Sequence, residues 1–190
     1  MSKLVDYAQL VKKAVPIFWE NGYRAVSYKD LAKGMGISHT FLYNQWGKEQ
    51  LLLDSIKSYL SENIDPAFHF IENSEKGIEA IREVYHEVAN SNFREDPCTC
   101  MLMNIALELK EELKSLRPVY DQFLKNMRRS YSAALHQSYK TGAIKHAGKI
   151  PEYVEMLVGL MFGLNILLHY KSSTELIDYI DSFFNLITRE

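Results

Sequence analysis

The sequence predicts an all-α protein in which a small N-terminal three-helix unit precedes a larger helical body. Apolar residues recur at intervals of three and four along almost the whole chain, and alternating β-branched runs are absent. Glycine, proline and serine interrupt this pattern at spacings that suit helix lengths. The chain has 190 residues, of which 47% are hydrophobic and 24% are charged. This composition is typical of a globular protein with a real core.

Charge is distributed unevenly along the chain. Residues 1–50 hold seven Lys and Arg and four Asp and Glu, a balance of +3, whereas the whole chain carries −2. A basic first quarter is a mild indication of an end that binds a polyanion, and chance explains it equally well.

The sequence favours a cytoplasmic location. No apolar run reaches the ~18 residues of a membrane helix, and the N-terminus lacks the apolar core of a signal peptide. The two cysteines of an unexported chain fit a reducing compartment.

The first helix is predicted from an apolar stripe that ends at "NGY" (21–23), where glycine suits the position after the last turn. The stripe consists of Leu4, Ala8, Val11, Ala14, Val15 and Phe18. Pro16 lies inside this helix and predicts a kink, since an interior proline removes a backbone hydrogen bond.

Two short helices and a longer one follow. Ser27 and Asp30 resemble a capping box that opens a helix from Tyr28 to about residue 33. "GMGIS" (34–38) supplies a tight turn and Ser38 as the next N-cap, so a third helix is predicted from residue 39 to about 46. Gly47 ends it and is a weak N-cap for a fourth helix over 48–63.

The remaining helices make up the body. They are predicted over 67–73, 75–92, 100–113, 116–140, 151–170 and 174–188. The functional domains are expected over 1–48 and 49–190, with the fourth helix bridging the two.

The second and third helices form a helix-turn-helix, in which the third is the one that reads DNA. Each residue turns an α-helix by about 100°. With Leu42 toward the core, Ser38 and Trp46 are expected to anchor inward, and Thr40 and Asn44 to face outward. The alternative is an ordinary surface helix of a small bundle.

The outward residues have suitable chemistry for DNA. Asn44 can pair with adenine through two hydrogen bonds, and Thr40 can bond a base or touch a thymine methyl. Tyr43 and Lys48, with Gln45 as a further candidate, can reach phosphates, and the free N–H groups at the start of the fourth helix attract a phosphate. Phe41 can either touch a thymine methyl or lean onto a neighbouring helix.

"LVKKAVPIFWENGYRAVSYKDLAKGMGISHTFLYNQWGKEQLLLDSI" (10–56) resembles the N-terminal DNA-binding region of the TetR family of bacterial regulators. The spacing is kept across three helices without a gap over about 47 residues. The matching residues are Ala14, Phe18, Gly22, Tyr23, Ser27, Asp30, Leu31, Ala32, Gly36, Ile37, Ser38, Leu42, Tyr43, Trp46, Lys48, Glu49, Leu51 and Leu52.

The resemblance implies a homodimer that places two third helices in the major groove of a palindromic operator. It implies a C-terminal domain that binds a small inducer and a dimer interface in the last two helices (about 151–189). We expect no cofactor. By family position, the residues that contact DNA are Ser27, Ser38, His39, Thr40, Phe41, Tyr43, Asn44 and Lys48. Thr40, Phe41, Gln45, Trp46 and Gly47 depart from the usual family residues, so the operator sequence does not carry over.

The helix over 151–170 is apolar nearly all round and must be covered. Gly159 and Gly163 allow another helix to approach closely, and with "LIDYIDSFFNLI" (176–187) this helix would form half of an intersubunit four-helix bundle. The alternative is a core helix within one chain.

Plentiful aromatic and methionine residues in the body suggest an apolar pocket for a small lipophilic effector. The expected lining residues are Phe93, Met103, Phe123, Met127 and Tyr131. Core packing explains each of them as well.

Cys98 and Cys100 suggest an alternative trigger, a thiol that senses oxidants or electrophiles. Two inert thiols, buried or half-buried, are the simpler interpretation, because Glu95 and Asp96 oppose any lowering of a thiol pKa by Arg94. A C-x-C pair without a partner pair or nearby histidine is weak for a metal. The chain shows no motif of converging acid, base and nucleophile, so an enzyme is the least favoured class.

Overall fold

In a computed structural model of the protein, residues 6–91, 99–110 and 112–189 are described. They contain helices and no strand, which confirms the all-α prediction. The α-helices are α1 (Tyr7–Asn21), α2 (Tyr28–Met35), α3 (His39–Gln45), α4 (Lys48–Tyr59), α5 (Asp65–Asn73), α6 (Ile78–Asn90), α7 (Met101–Leu109), α8 (Leu116–Lys140), α9 (Ile150–Leu167) and α10 (Ser173–Arg189). A π-helical stretch, Leu60–Ile64, and a 3-10 turn, Ala147–Lys149, complete the helical elements.

The described residues divide into two compact units. Unit 1 takes in those within Met1–Ile64 and Cys100–Tyr120, and unit 2 those within Asp65–Thr99 and Asp121–Glu190. Unit 1 therefore joins the first four helices to α7, which lies much later in the sequence. The functional boundary between residues 48 and 49 stays a prediction.

The local signals that open the first helices act as the sequence predicts. Ser27 and Asp30 form a complete capping box at α2, and the Ser38 hydroxyl accepts the Phe41 N–H at the start of α3. Gly36 ends α2 with φ +74°, a left-handed conformation that favours glycine. These caps confirm both helix starts of the helix-turn-helix.

The core of unit 1 holds α1 against α2 and α4. Its fully buried side chains include Ala14, Phe18, Leu31, Leu42, Leu52 and Ile56. Pro16 lies inside α1 on the exposed side, away from this core. Phe18 and its neighbours thus provide the hydrophobic contacts that seat α2 and α4 on α1.

The fourth predicted helix is shorter than expected. α4 ends at Tyr59, and Leu60–Ile64 adopts a π-helix before α5 begins at Asp65. A π-helix keeps the backbone hydrogen-bonded in a wider turn, so side-chain periodicity alone does not reveal it.

Unit 2 is built around α6 and α10, which pack together, with α5 against α6 and α9 against α10. Tyr85 of α6 is fully buried and its hydroxyl donates to the carbonyl of Leu157 in α9 at 2.6 Å. The Tyr85 ring meets Phe184 of α10 edge-on, with 5.5 Å between centroids. One side chain thus contacts two neighbouring helices.

One helix among the described residues, Ala147–Leu167, is long and apolar enough to cross a membrane by length and composition. It includes Lys149, Glu152 and Glu155, so it passes on mean hydropathy and is not the uninterrupted apolar run of ~18 residues that the sequence was expected to lack. The same test is passed by a buried core helix, and eight residues of α9 are buried in unit 2. Core packing accounts for the buried side of this helix.

Candidate nucleic-acid interface

The third helix, α3, turns polar side chains to solvent. Leu42 is its one buried residue, whereas Thr40 and Asn44 are exposed. Tyr43 is 64% exposed, which is unusual for so large a ring. The exposure of these residues agrees with the predicted rotation of the helix. Their contact with DNA bases stays a prediction.

Of the two residues expected to anchor the ends of α3 inward, Ser38 departs from the prediction and Trp46 packs against α1. Ser38 is exposed, and its hydroxyl caps the helix by accepting the Phe41 N–H at 3.1 Å. The inward orientation predicted for Ser38 is therefore wrong, because the N-cap hydroxyl points along the helix axis to the free N–H groups. Trp46 is half-buried and stacks on Tyr7 of α1, with 4.9 Å between ring centroids.

Phe41 packs within the protein. Its half-buried ring meets Trp46 edge-on, with centroids 5.6 Å apart and planes at 84°. Through Trp46 it joins the ring of Tyr7 on α1. Of the two roles predicted for Phe41, leaning onto a neighbouring element is the one this geometry favours.

Tyr28 forms a three-ring cluster with α3 that the sequence analysis missed. Its ring lies edge-on to Tyr43 at 5.3 Å and to His39 at 6.3 Å between centroids. His39 and Tyr43 are themselves stacked at 6.3 Å. Gly47 was the one indication in the sequence, because a glycine N-cap has no side chain to bond the N–H groups of α4 and another group can take that place.

Lys48 is engaged twice in unit 1. Its backbone N–H donates to the Tyr28 hydroxyl at 2.8 Å, so this first N–H of α4 is bonded within the protein. A phosphate at the other N–H groups of this helix start stays a prediction. Its ammonium group lies 4.2 Å from the centroid of the Tyr23 ring. Burial lowers the pKa of Lys48, which is the direction expected when a cation loses water.

The hydroxyl of Ser27 is also bonded within the protein. It donates to the Asp30 carboxylate at 2.5 Å and accepts the Asp30 N–H at 3.2 Å. These bonds, with that of the Ser27 N–H, lower the pKa of Asp30. A contact between Ser27 and a phosphate stays a prediction.

Glu108 of α7 binds the turn between α1 and α2, a role that nothing in the sequence indicated. Its two carboxylate oxygens accept the backbone N–H groups of Tyr23 at 2.8 Å and Arg24 at 2.7 Å. The Arg24 guanidinium donates to Glu112 at 2.5 Å. The helix-turn-helix is therefore hydrogen-bonded to a segment some 85 residues further along the chain.

The predicted effector residues do not all lie in one unit. Phe123, Met127 and Tyr131 are buried on one face of α8 within unit 2, whereas the buried Met103 belongs to unit 1. Phe93 lies outside the described residues. The Tyr131 hydroxyl is hydrogen-bonded to Tyr85, and burial raises the pKa of both. The lining role of the set stays a prediction.

Of the two cysteines, only Cys100 falls in the described part of the chain. Burial raises the pKa of its thiol, which disfavours the reactive thiolate form. Within residues 6–91, 99–110 and 112–189, no three His, Cys, Asp or Glu side chains are arranged to hold a metal ion.

Two short helices joined by a glycine turn, with polar residues outward on the second, define the class of helix-turn-helix DNA-binding proteins. Residues 10–54 match the family model of bacterial regulatory proteins of the tetR family. The HTH-type transcriptional regulator YezE of Bacillus subtilis (strain 168), itself described as uncharacterized, is 32% identical over 109 residues, 56% of either chain. The match thus spans just over half the length of this curated relative.

Solved structures agree over nearly the whole length. A cysteine mutant of the TetR family transcriptional regulator CifR, bound to a 26-base-pair operator, has a TM-score of 0.81 at 19% identity, covering 96% of this chain and 97% of that one. FadR of Bacillus subtilis, in complex with stearoyl-CoA, has a TM-score of 0.71 at 20% identity, covering 96% and 98%. At these identities the likeness establishes the fold. The match to the tetR family is shown for residues 10–54, the region of the helix-turn-helix.

Proposed function

We propose that the protein is a transcriptional repressor that binds a palindromic operator as a homodimer and releases it when a small lipophilic effector binds. The observation that carries this proposal is the outward face of α3, where Thr40 and Asn44 are exposed on a helix seated by Leu42. The proposed DNA-contacting residues are Ser27, Ser38, His39, Thr40, Phe41, Tyr43, Asn44 and Lys48. A protein that acts on chromosomal DNA works in the cytoplasm of a bacterium.

Base contact and backbone contact are assigned to different residues. Asn44 and Thr40 have the amide and hydroxyl groups that pair with base edges in the major groove. Tyr43 and Lys48 supply a hydroxyl and an ammonium group for phosphates, which fix the position of the protein without reading sequence. Asn44 and Thr40 are thus proposed to set which bases are preferred. Lys48 is proposed to contribute to the salt dependence of binding.

The proposed dimer interface is the outer face of α9 and α10. This face exposes large apolar side chains, with 45% of Met156, 59% of Ile166, 44% of Tyr179 and 65% of Leu186 accessible. Exposed apolar surface of this kind is typical of an interface between proteins. Gly159 and Gly163 have open space beyond their Cα atoms, which allows a second helix to approach closely.

The proposed effector site lies in unit 2, beside α8. Phe123, Met127 and Tyr131 follow each other at every fourth residue, and Phe123 and Tyr131 contact the rings of Phe68 and Tyr85. Such a lining suits an apolar molecule with one polar group. FadR binds stearoyl-CoA, so acyl-CoA thioesters of different chain length are sensible first probes.

The test is selection of duplexes from a 30-base-pair library with a randomised centre, followed by fluorescence anisotropy on the selected duplex. We expect a palindromic preference and a dimer in analytical ultracentrifugation. A lipophilic effector should weaken DNA binding, and DNA should weaken effector binding by the same factor, because coupling between two sites is reciprocal. Asn44→Ala should change the preferred sequence, whereas Tyr43→Phe should weaken all sequences alike. Selection of no sequence by the native protein would overturn the proposal.

The thiol-sensing alternative is less favoured because the Cys100 thiol is half-buried and desolvation raises its pKa. It predicts that alkylation of the thiols by iodoacetamide releases DNA. Unchanged DNA affinity of the alkylated protein would discard it.

A further inference from the structure

α3 has a single residue in the core of unit 1. Only Leu42 of its seven residues is buried. A helix anchored at one point can roll about that point, and at the ~5–6 Å radius of its side chains a roll of about 20° moves a side-chain tip by about 2 Å. Such a shift is enough to break a hydrogen bond to a base. The roll of α3 must therefore be fixed by contacts at its flanks.

Tyr28 makes the contact on one flank. It is the first residue of α2, and its half-buried ring meets the rings of both His39 and Tyr43 edge-on. These two residues lie one turn apart on the same side of α3. Edge-to-face aromatic pairs have a preferred geometry, so this cluster resists rotation of α3 in either direction.

The hydroxyl of Tyr28 fixes the start of α4 at the same time. It accepts the N–H of Lys48, the first residue of α4, at 2.8 Å. Gly47 is the N-cap of α4 and makes no side-chain hydrogen bond. Tyr28 therefore satisfies one of the four N–H groups that a helix start leaves without a partner, in place of a local cap.

We propose that Tyr28 is the positioning residue of the DNA-reading helix: its ring sets the roll of α3, and its hydroxyl ties that helix to the start of α4. This inference rests on the proposed function, in which Thr40 and Asn44 of α3 read bases. Tyr28 does so without touching a base itself, and it links residues that begin or flank three separate helices.

Three variants separate the ring from the hydroxyl. Tyr28→Phe keeps the ring and removes the acceptor, and Tyr28→Leu removes both. Tyr28→Phe combined with Gly47→Ser supplies a local cap instead, which the backbone accepts because Gly47 has φ −71° and open space around its Cα. Tyr139→Phe, an exposed tyrosine on α8 in unit 2, is the matched control.

The first measurement is amide hydrogen exchange without DNA. We expect Tyr28→Phe to speed exchange at Lys48 by about fivefold, the size of one lost cap. Tyr139→Phe should leave it unchanged. Unchanged exchange at Lys48 in Tyr28→Phe would overturn the assignment of the hydroxyl, whether or not the protein binds DNA.

The second measurement repeats the selection from the randomised 30-base-pair library. Tyr28→Phe should bind the native duplex about fivefold more weakly. Adding Gly47→Ser should not restore the affinity, because a serine N-cap bonds the second or third N–H of α4 and leaves the link from Tyr28 to Lys48 broken. Recovery of the affinity would overturn the role of that link. Tyr28→Leu should select different bases at the positions that α3 reads. A folded Tyr28→Leu protein that selects the native sequence with a uniform loss of affinity would overturn the role of the ring. If the native protein selects nothing, the proposed function fails, and the inferred effect on base preference fails with it.

Discussion

Glu108 holds the backbone of Tyr23 with a carboxylate hydrogen bond of 2.8 Å across 85 residues of sequence. The same carboxylate accepts the Arg24 N–H, and its Oε2 atom would lie 2.7 Å from a Cβ placed at Gly22. Gly22 has φ +75°, so the turn between α1 and α2 combines a left-handed glycine with two N–H groups aimed at one anion. Adjacent N–H groups of this kind form an anion-binding concavity, which here is filled by the protein's own side chain.

Removal of this carboxylate should destabilise unit 1. We expect Glu108→Ala to lower the free energy of unfolding by about 1–2 kcal/mol, because two charge-assisted hydrogen bonds to a half-buried turn are lost. Urea denaturation followed by circular dichroism measures the effect. Glu112→Ala is the control, since it removes only an exposed ion pair with Arg24 and should cost less than ~1 kcal/mol. Equal losses in the two variants would contradict the role given to Glu108.

Lys48 should contribute about 1 to the slope of log affinity against log salt concentration for DNA binding. Its ammonium rests on the Tyr23 ring, and within the described part of the chain no carboxylate lies at ion-pair distance from it, so a phosphate offers it a stronger partner. We expect Lys48→Gln to reduce the slope of log affinity against log salt by about 1. Lys12→Gln removes the same charge from a residue paired with Glu62 at 2.8 Å and should leave the slope unaltered. An unaltered slope in Lys48→Gln would remove Lys48 from the phosphate contacts.

The parts of this structure that the sequence predicts are those governed by local signals. The capping box of Ser27 and Asp30 and the cap of Ser38 depend on residues three positions apart, so they can be found without a fold. The orientation of Leu42, Thr40 and Asn44 follows from helical periodicity alone.

The contacts that escaped prediction join residues far apart in the chain. Tyr28 reaches the Lys48 N–H across 20 residues, and Glu108 reaches Tyr23 across 85. Nothing in a single sequence pairs such positions, because each side chain by itself reads as an ordinary exposed residue. Ser38 shows the converse error, since periodicity placed it inward whereas its cap geometry turns it outward.

Phe41 should contribute more to stability than to base preference. Its ring packs on Trp46, which stacks on Tyr7. We expect Phe41→Ala to cost about 1–2 kcal/mol in urea denaturation, from a lost aromatic pair and half-buried surface. Thr40→Ala, one residue earlier and fully on the outward face, should stay within ~0.5 kcal/mol while changing the selected sequence. A new base preference in Phe41→Ala without loss of stability would restore the thymine-methyl contact.

The start of α10 should weaken in acid. The N–H and hydroxyl of Ser172 donate to Glu175, and with Lys171 they lower the pKa of Glu175 from 4.5 to about 2. A lowered folded-state pKa stabilises the protein above pH 4.5, and this contribution is lost as the pH falls towards 2. The free-energy difference between native protein and Glu175→Ala, measured by urea denaturation, should therefore shrink from pH 5 to pH 3. Ser172→Ala removes the hydroxyl that donates to Glu175, so its loss of stability should shrink over the same pH range. A loss of stability that does not depend on pH in either variant would contradict this prediction.

Gly77 should be the least replaceable glycine of unit 2. It begins α6 with φ +60°, and a Cβ there would lie 2.3 Å from the Ser138 hydroxyl oxygen and 3.1 Å from the Ser138 backbone nitrogen. That hydroxyl accepts the Ile78 N–H at 2.6 Å, so it cannot move aside without breaking a buried hydrogen bond. We expect Gly77→Ala to cost about 2–5 kcal/mol, from backbone strain and overpacking together.

Gly142 separates these two contributions. It has φ +80° but open space around its Cα, so Gly142→Ala should cost only the backbone strain of about 1–2 kcal/mol. Urea denaturation of both variants measures the difference. If Gly77→Ala and Gly142→Ala cost the same, the close approach of Ser138 contributes nothing, and the start of α6 has room for a Cβ at residue 77. If packing between Gly77 and Ser138 sets the cost, Gly77→Ala should cost less in a Ser138→Ala background than in the native protein, because the clash with the hydroxyl is absent there.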